Sequence, residues 1–141
     1  MLATIFILLV LFQIKHFVAD YLLQNKWMLG KFKQDWSFAL PLLAHSGTHG
    51  LFTLVICLII NPTLWWVSII DIVVHFIIDR IKASSKYFGR FKVMSAKEMR
   101  FADWPDRKDA VKSNTYFWWA LGLDQMVHHL THYVFIFLLV K

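Results

Sequence analysis

Eight side chains able to ligate a metal ion fall into four pairs, each four residues apart: His16/Asp20, His45/His49, His75/Asp79 and Asp124/His128. A spacing of four puts both members on one face of a helix, one turn apart. Each pair interrupts a long apolar run, and a central Asp in hydrocarbon costs about 2.5–3.5 kcal/mol on the insertion scale. A single His/Asp pair in such a helix is usually explained by an interhelical hydrogen bond. Four pairs at one spacing predict a common partner, and a divalent transition metal is the simplest. Neutral imidazole with carboxylate suits Zn, Fe or Mn better than Ca or the thiolate-bound metals. The eight ligands suffice for two ions, or for one ion with the remainder orienting ligands and moving protons. The competing reading is a wholly hydrogen-bonded polar core or a proton relay.

The elements that must position these pairs follow from composition. The chain has 141 residues, is 58% hydrophobic and carries seven Trp and thirteen Phe. Nearly charge-free runs account for the excess, and each approaches the ~20 residues needed to cross a bilayer. The pattern predicts an all-α polytopic membrane protein, a single domain with transmembrane helices at about 2–24, 38–60, 63–83 and 116–140. The first run lacks a basic leader and a small-residue cleavage site and contains the first ligand pair, so a retained helix is expected rather than a signal peptide. A lone Cys57 excludes a disulfide framework and any CxxC zinc motif.

The connections set the orientation. Residues 25–36 carry Lys26, Lys31 and Lys33 against Asp35, and residues 61–62 are a tight Asn-Pro turn. The segment 84–115, with Arg80 and Lys82 just before it, holds most of the remaining basic residues and is expected in the cytoplasm. The positive-inside rule therefore places both basic loops in the cytoplasm and both termini outside. Trp27, Trp36, Trp118 and Trp119 would mark the cytoplasmic interface, and Trp65 and Trp66 the outer one. A short interfacial helix is expected in the stretch 94–112, before Pro105 interrupts it. The basic loops read as topology signals and attraction to anionic lipid; no nucleic-acid motif accompanies them. At 1.5 Å per residue all four pairs then fall in one slab, roughly 6–18 Å below the cytoplasmic boundary. HFVAD at 16–20 and HFIID at 75–79 are nearly one pentapeptide on helices of the same direction, which suggests two copies of a helical hairpin.

Further candidates surround the pairs. Asp71 lies one turn outward of His75, and His132 one turn outward of His128; both are expected to orient ligands. Gln24 and Gln125 adjoin Asp20 and Asp124 and are candidate substrate contacts or bridges, and His129 is expected to pack. Lys15 is expected to touch an anionic headgroup or to snorkel. Ser46, Gly47, Thr48 and Gly50 read as a close helix approach. Serine-hydrolase elbows, P-loops and dinucleotide fingerprints are missing, which removes those enzyme classes.

The motifs HFVADYLLQ (16–24), LAHSGTHG (43–50), HFIID (75–79) and DQMVH (124–128) occur in order over nearly the whole chain. In them the chain resembles a family of unknown function, short four-helix inner-membrane proteins of bacteria and their phages. More distantly it is similar to bacterial inner-membrane metal-dependent hydrolases with His-rich helices. The first resemblance implies a membrane location, and the second implies hydrolysis by analogy. The leading expectation is a metal-dependent hydrolase acting at the cytoplasmic leaflet on an anionic phospholipid, lipid phosphate or phosphoester. Metal-generated hydroxide would attack, and Asp20 or Asp124 would serve as base. One rival is a metal or proton transporter, which needs polar groups along its full length, whereas the outer halves are almost wholly apolar. A homo-oligomer could supply a path that one chain lacks. The other rival is a non-catalytic membrane factor stapled by metal.

Overall fold

A computed structural model describes residues 2–83 and 115–141. The expected interfacial helix over 94–112 and nearly all of the basic segment 84–115 lie outside the described residues. Those described are helical or connecting, with no strand among them.

Helix α1 spans Leu2–Phe17 and runs on into a π-helical turn, Val18–Leu22, closed by the Leu23 N–H donating to the Val18 carbonyl at 2.9 Å. The helical span expected at about 2–24 thus runs from Leu2 to Leu22, its last turn π-helical rather than α-helical. The wide turn carries Asp20, and such turns recur where a helix must aim a functional side chain. The connection to the next helix holds two short 3-10 turns, Met28–Phe32 and Trp36–Phe38. Asp35 caps the second by accepting from the Ser37 N–H at 2.8 Å, and that bond holds its carboxyl below the usual range.

Helix α2 spans Ala39–Ile60, with Pro41 in its first turn, where no intrahelical N–H is required. Asn61 ends it: its N–H donates to the Cys57 carbonyl at 2.8 Å while its side chain accepts from the Thr63 hydroxyl at 2.6 Å. Pro62 then opens the 3-10 turn Pro62–Leu64 that leads into α3, Val67–Ala83. Helix α4 spans Thr115–Val140.

Neighbours in sequence pack side by side, and α4 closes the bundle against α1. The α2–α3 seam is the tightest. A Cβ added to Gly50 would lie 2.2 Å from Ile72 Cγ1 and 2.9 Å from the Ser68 carbonyl, so only glycine allows this approach. Gly47, by contrast, faces open space.

Burial is inverted relative to a water-soluble bundle. Large apolar side chains cover the exterior of every helix, among them Phe6 and Ile14 on α1, Leu51 and Ile59 on α2, Ile69 and Val73 on α3, and Leu130 and Phe137 on α4. Among the described residues fourteen buried groups are polar or charged against twelve apolar ones, so the interior cannot be a hydrocarbon core throughout. The two kinds segregate along the axis. Leu8, Phe12, Ile56, Cys57, Val67, Phe135, Ile136 and Leu139 form an apolar plug at the end that holds the α2–α3 turn. The other half of the interior is polar. Two helical stretches, Leu2–Leu22 and Trp36–Ile60, are long and apolar enough to cross a membrane.

Candidate metal centre

The polar half is built in layers, because α2, α3 and α4 each present three side chains four residues apart: His45/His49/Thr53, Asp71/His75/Asp79 and Asp124/His128/His132. Four residues rise about 6 Å. Helix α1 adds Lys15, His16 and, through its π turn, Asp20.

The layer next to the plug is an ion-pair network. The Lys15 ammonium donates to Asp71 and, at 3.2 Å, to His132 Nε2, while the Thr53 hydroxyl donates to Asp71 Oδ2 at 2.6 Å. Lys15 therefore neither reaches a headgroup nor snorkels; it is buried against a carboxylate. Asp71 also faces His75, whose Nδ1 lies 2.9 Å from Asp71 Oδ1 and 3.1 Å from its carbonyl. That fixes Nδ1 as the protonated nitrogen and turns Nε2 toward the cluster, the orienting part expected of Asp71. His132 differs from expectation. It accepts from Lys15, so its bond goes to that network and not to His128.

The middle layer is imidazole. His49 and His75 stack with centroids 3.9 Å apart, and His75 and His128 at 4.0 Å. His16 lies beside this row, 5.4 to 6.0 Å from His49, His75, His128 and His132. His129, half-buried, packs against His16 at 5.3 Å.

The outermost layer carries the carboxylates. Asp20 Oδ1 lies 3.1 Å from His49 Nε2 and 3.3 Å from His45 Nε2, and Asp20 Oδ2 lies 3.2 Å from His16 Nε2. His45 Nε2 is also 3.2 Å from Asp79 Oδ2, yet it makes no hydrogen bond of acceptable geometry with either carboxylate. His75 Nε2 and Asp124 Oδ1 are likewise buried without a hydrogen-bond partner among the described residues. Each such atom costs about 1–3 kcal/mol if nothing meets it.

Four groups of side chains converge closely enough to share an ion: Asp20/His45/His49, His16/His49/His75, Asp71/His75/His132 and Asp79/Asp124/His128. All eight ligands expected from the sequence lie in one cluster. Two of the four groups already hold a lysine. Lys15 sits in the Asp71 group. Lys31 donates to Asp79 Oδ2 at 2.7 Å and Lys82 to Asp124 Oδ2 at 2.6 Å. The two groups without a lysine share His49.

Gln125 joins the halves of the site: it accepts from, or pairs with, His16 Nε2 at 2.9 Å and donates to Asp124 Oδ2 at 3.2 Å and Asp20 Oδ2 at 3.4 Å. Gln24 lies past the π turn, in the connection, and makes no hydrogen bond to the cluster. The connection itself folds over the polar end. Besides Lys31, Gln34 donates to the Ala83 carbonyl at 3.0 Å, and Arg80 donates to the Lys33 carbonyl at 2.9 Å while stacking 3.6 Å over Phe38.

Lys31 and Lys82 are the cluster residues that sequence reasoning missed. Lys31 sits in the connection and Lys82 at the end of α3, and both read in the sequence as topology signals. For Lys82 the signal was its position three residues after Asp79; for Lys31 no local pattern gives it away.

Bundle and site together define a class: a helical protein with four α-helices among the described residues, apolar outside, with a buried His/Asp/Lys cluster at one end. A family model described as "Protein of unknown function (DUF3307)" matches residues 7–141, and the chain belongs to that family. No curated protein and no solved structure matches the chain significantly.

Proposed function

We propose that the protein spans a bacterial inner membrane with all four helices and acts as a metal-dependent hydrolase on an anionic substrate. The observation that carries this reading is the Asp20/His45/His49 group. Around a tetrahedral ion with bonds of about 2.0–2.1 Å, ligand atoms stand about 3.3 Å apart. The two histidine nitrogens lie 3.1 and 3.3 Å from Asp20 Oδ1, and the group holds no lysine. Three protein ligands leave a position open for water, which is the catalytic pattern; a structural site closes with four.

A divalent ion there would supply a hydroxide near neutral pH and offset charge on a phosphoryl or acyl oxygen. The residues would divide the remaining work. Asp20, His45 and His49 hold the ion, with His16 flanking Asp20. Asp124, whose Oδ1 makes no hydrogen bond among the described residues and has His128 Nε2 3.5 Å away, is the carboxylate available as base, and Gln125 ties it to Asp20.

Membrane spanning by all four helices is supported by their apolar exteriors, and in α2 and α4 by length as well. Twenty-two residues of α2 extend about 33 Å, against about 30 Å of hydrocarbon. Exposed Trp27, Trp36, Trp118 and Trp119 at the polar end and Trp65 and Trp66 at the other match two interfacial belts. The lysines at the polar end favour the cytoplasm for that side and the outside for both termini. The near-identity of HFVAD and HFIID supports an origin in two hairpins. The apolar plug argues against a transporter, since it interrupts any polar path through one chain.

Metal-loaded protein in detergent, offered a phospholipid, a lipid phosphate and a soluble phosphodiester, tests the hydrolase reading. Turnover of at least one, reduced about 10²–10⁴-fold in Asp124→Asn with metal content unchanged, is expected. No turnover of any, with metal bound, would leave a metal-stapled membrane factor instead.

A further inference from the structure

The cluster's own lysines decide how many ions it takes. Eight ligands in four helices suggest two metals, but the groups are not equivalent. The Asp79/Asp124/His128 group is clamped by Lys31 and Lys82, and the Asp71/His75/His132 group by Lys15. Each of these ammonium groups approaches a carboxylate oxygen as a bound cation would. Lys15 and Lys31 are almost wholly buried, and Lys82 is half-buried.

Charge then sets a limit. With the imidazoles neutral, as metal ligation requires, Asp20, Asp71, Asp79 and Asp124 face Lys15, Lys31 and Lys82, four carboxylates against three ammonium groups, for a formal charge of −1. One divalent ion brings the cluster to +1, which a bound hydroxide or a substrate's anionic oxygen cancels. Two divalent ions would bring it to +3 inside an apolar shell, where uncompensated charge is strongly disfavoured.

We propose that Lys31 and Lys82 occupy the second metal position permanently, so that the cluster binds one divalent cation, at Asp20/His45/His49, together with one monoanion. This rests on the metal-binding reading above and makes it more specific. It also gives Lys31 a role in the fold: the connection over the polar end is pinned by the same ammonium group that fills the site.

Elemental analysis of the detergent-purified full chain after zinc loading and removal of free ion tests it. One zinc per chain is expected in the wild type, and two in Lys31→Met/Lys82→Met, where the freed carboxylates accept a second ion. A charge-neutral variant, Lys31→Met/Lys82→Met/Asp79→Asn/Asp124→Asn, keeps the protein testable if the double variant does not fold; it should still hold one zinc. Two zinc ions in the wild type, a double variant that stays at one, or loss of zinc from the neutral variant each overturn the proposal. No zinc in any of them overturns the metal reading itself, so the two failures are distinguishable.

Discussion

His45 and Lys15 show how differently two buried polar residues in one bundle can be satisfied. Lys15 is paired with Asp71, while His45 Nε2 stands between two carboxylates without a hydrogen bond to either. The first arrangement is complete without any ligand, and it sets a test. Asp71→Asn should destabilise the protein by about 3–5 kcal/mol, because the Lys15 ammonium is left buried without a counter-charge. Lys15→Met/Asp71→Leu should recover most of that loss, and denaturant titration in detergent micelles reads both. At this scale the sequence was informative about ligands and silent about their partners. Pairs four residues apart announce one helix face, and all eight ligands do lie in one cluster. Lys31 pairs with Asp79 across forty-eight residues, and no local period encodes such a distance.

The elements explain why the ligands meet. Each helix contributes one polar face over consecutive turns, and α1 adds a π turn at Asp20 that no residue type in HFVADYLLQ advertises. The α2–α3 seam depends on Gly50, where a methyl group has no room against Ile72 and the Ser68 carbonyl. Gly50→Ala should therefore cost about 1–3 kcal/mol through overpacking. Gly47→Ala, with nothing near its added methyl, should be neutral or stabilising by up to about 1 kcal/mol through helix propensity. Thermal unfolding of the two variants side by side checks the contrast. The small-residue cluster at 46–50 was legible as a close approach, but sequence could not say which glycine makes it, since that depends on how α3 lies against α2.

For the whole molecule, the helical character was legible because the apolar runs are long and interrupted only at one period. Two of the helices satisfy the length and composition of a membrane span. Of the others, α3 is short for a span at seventeen residues, and in α4 Asp124, Gln125 and three histidines dilute the apolar signal. The proposed orientation makes an accessibility prediction. Cysteines introduced at Ser37 and Thr63, both exposed and at opposite ends of the bundle, should react differently with an impermeant maleimide. In spheroplasts Thr63→Cys should label and Ser37→Cys should label only after lysis; native Cys57 is buried and contributes no background. The reverse pattern would invert the topology, and labelling of both before lysis would contradict a spanning bundle.

Asp20, His45 and His49 are the three residues proposed to hold a divalent ion. The most direct test of that proposal is the metal content of detergent-purified wild type beside His49→Ala, because His49 is shared by both groups that lack a lysine. Stoichiometric transition metal in the wild type, falling to near zero in His49→Ala with the fold intact, is the predicted result. A metal-free wild type, or a variant that retains its ion, would mean that Asp20, His45 and His49 do not hold one.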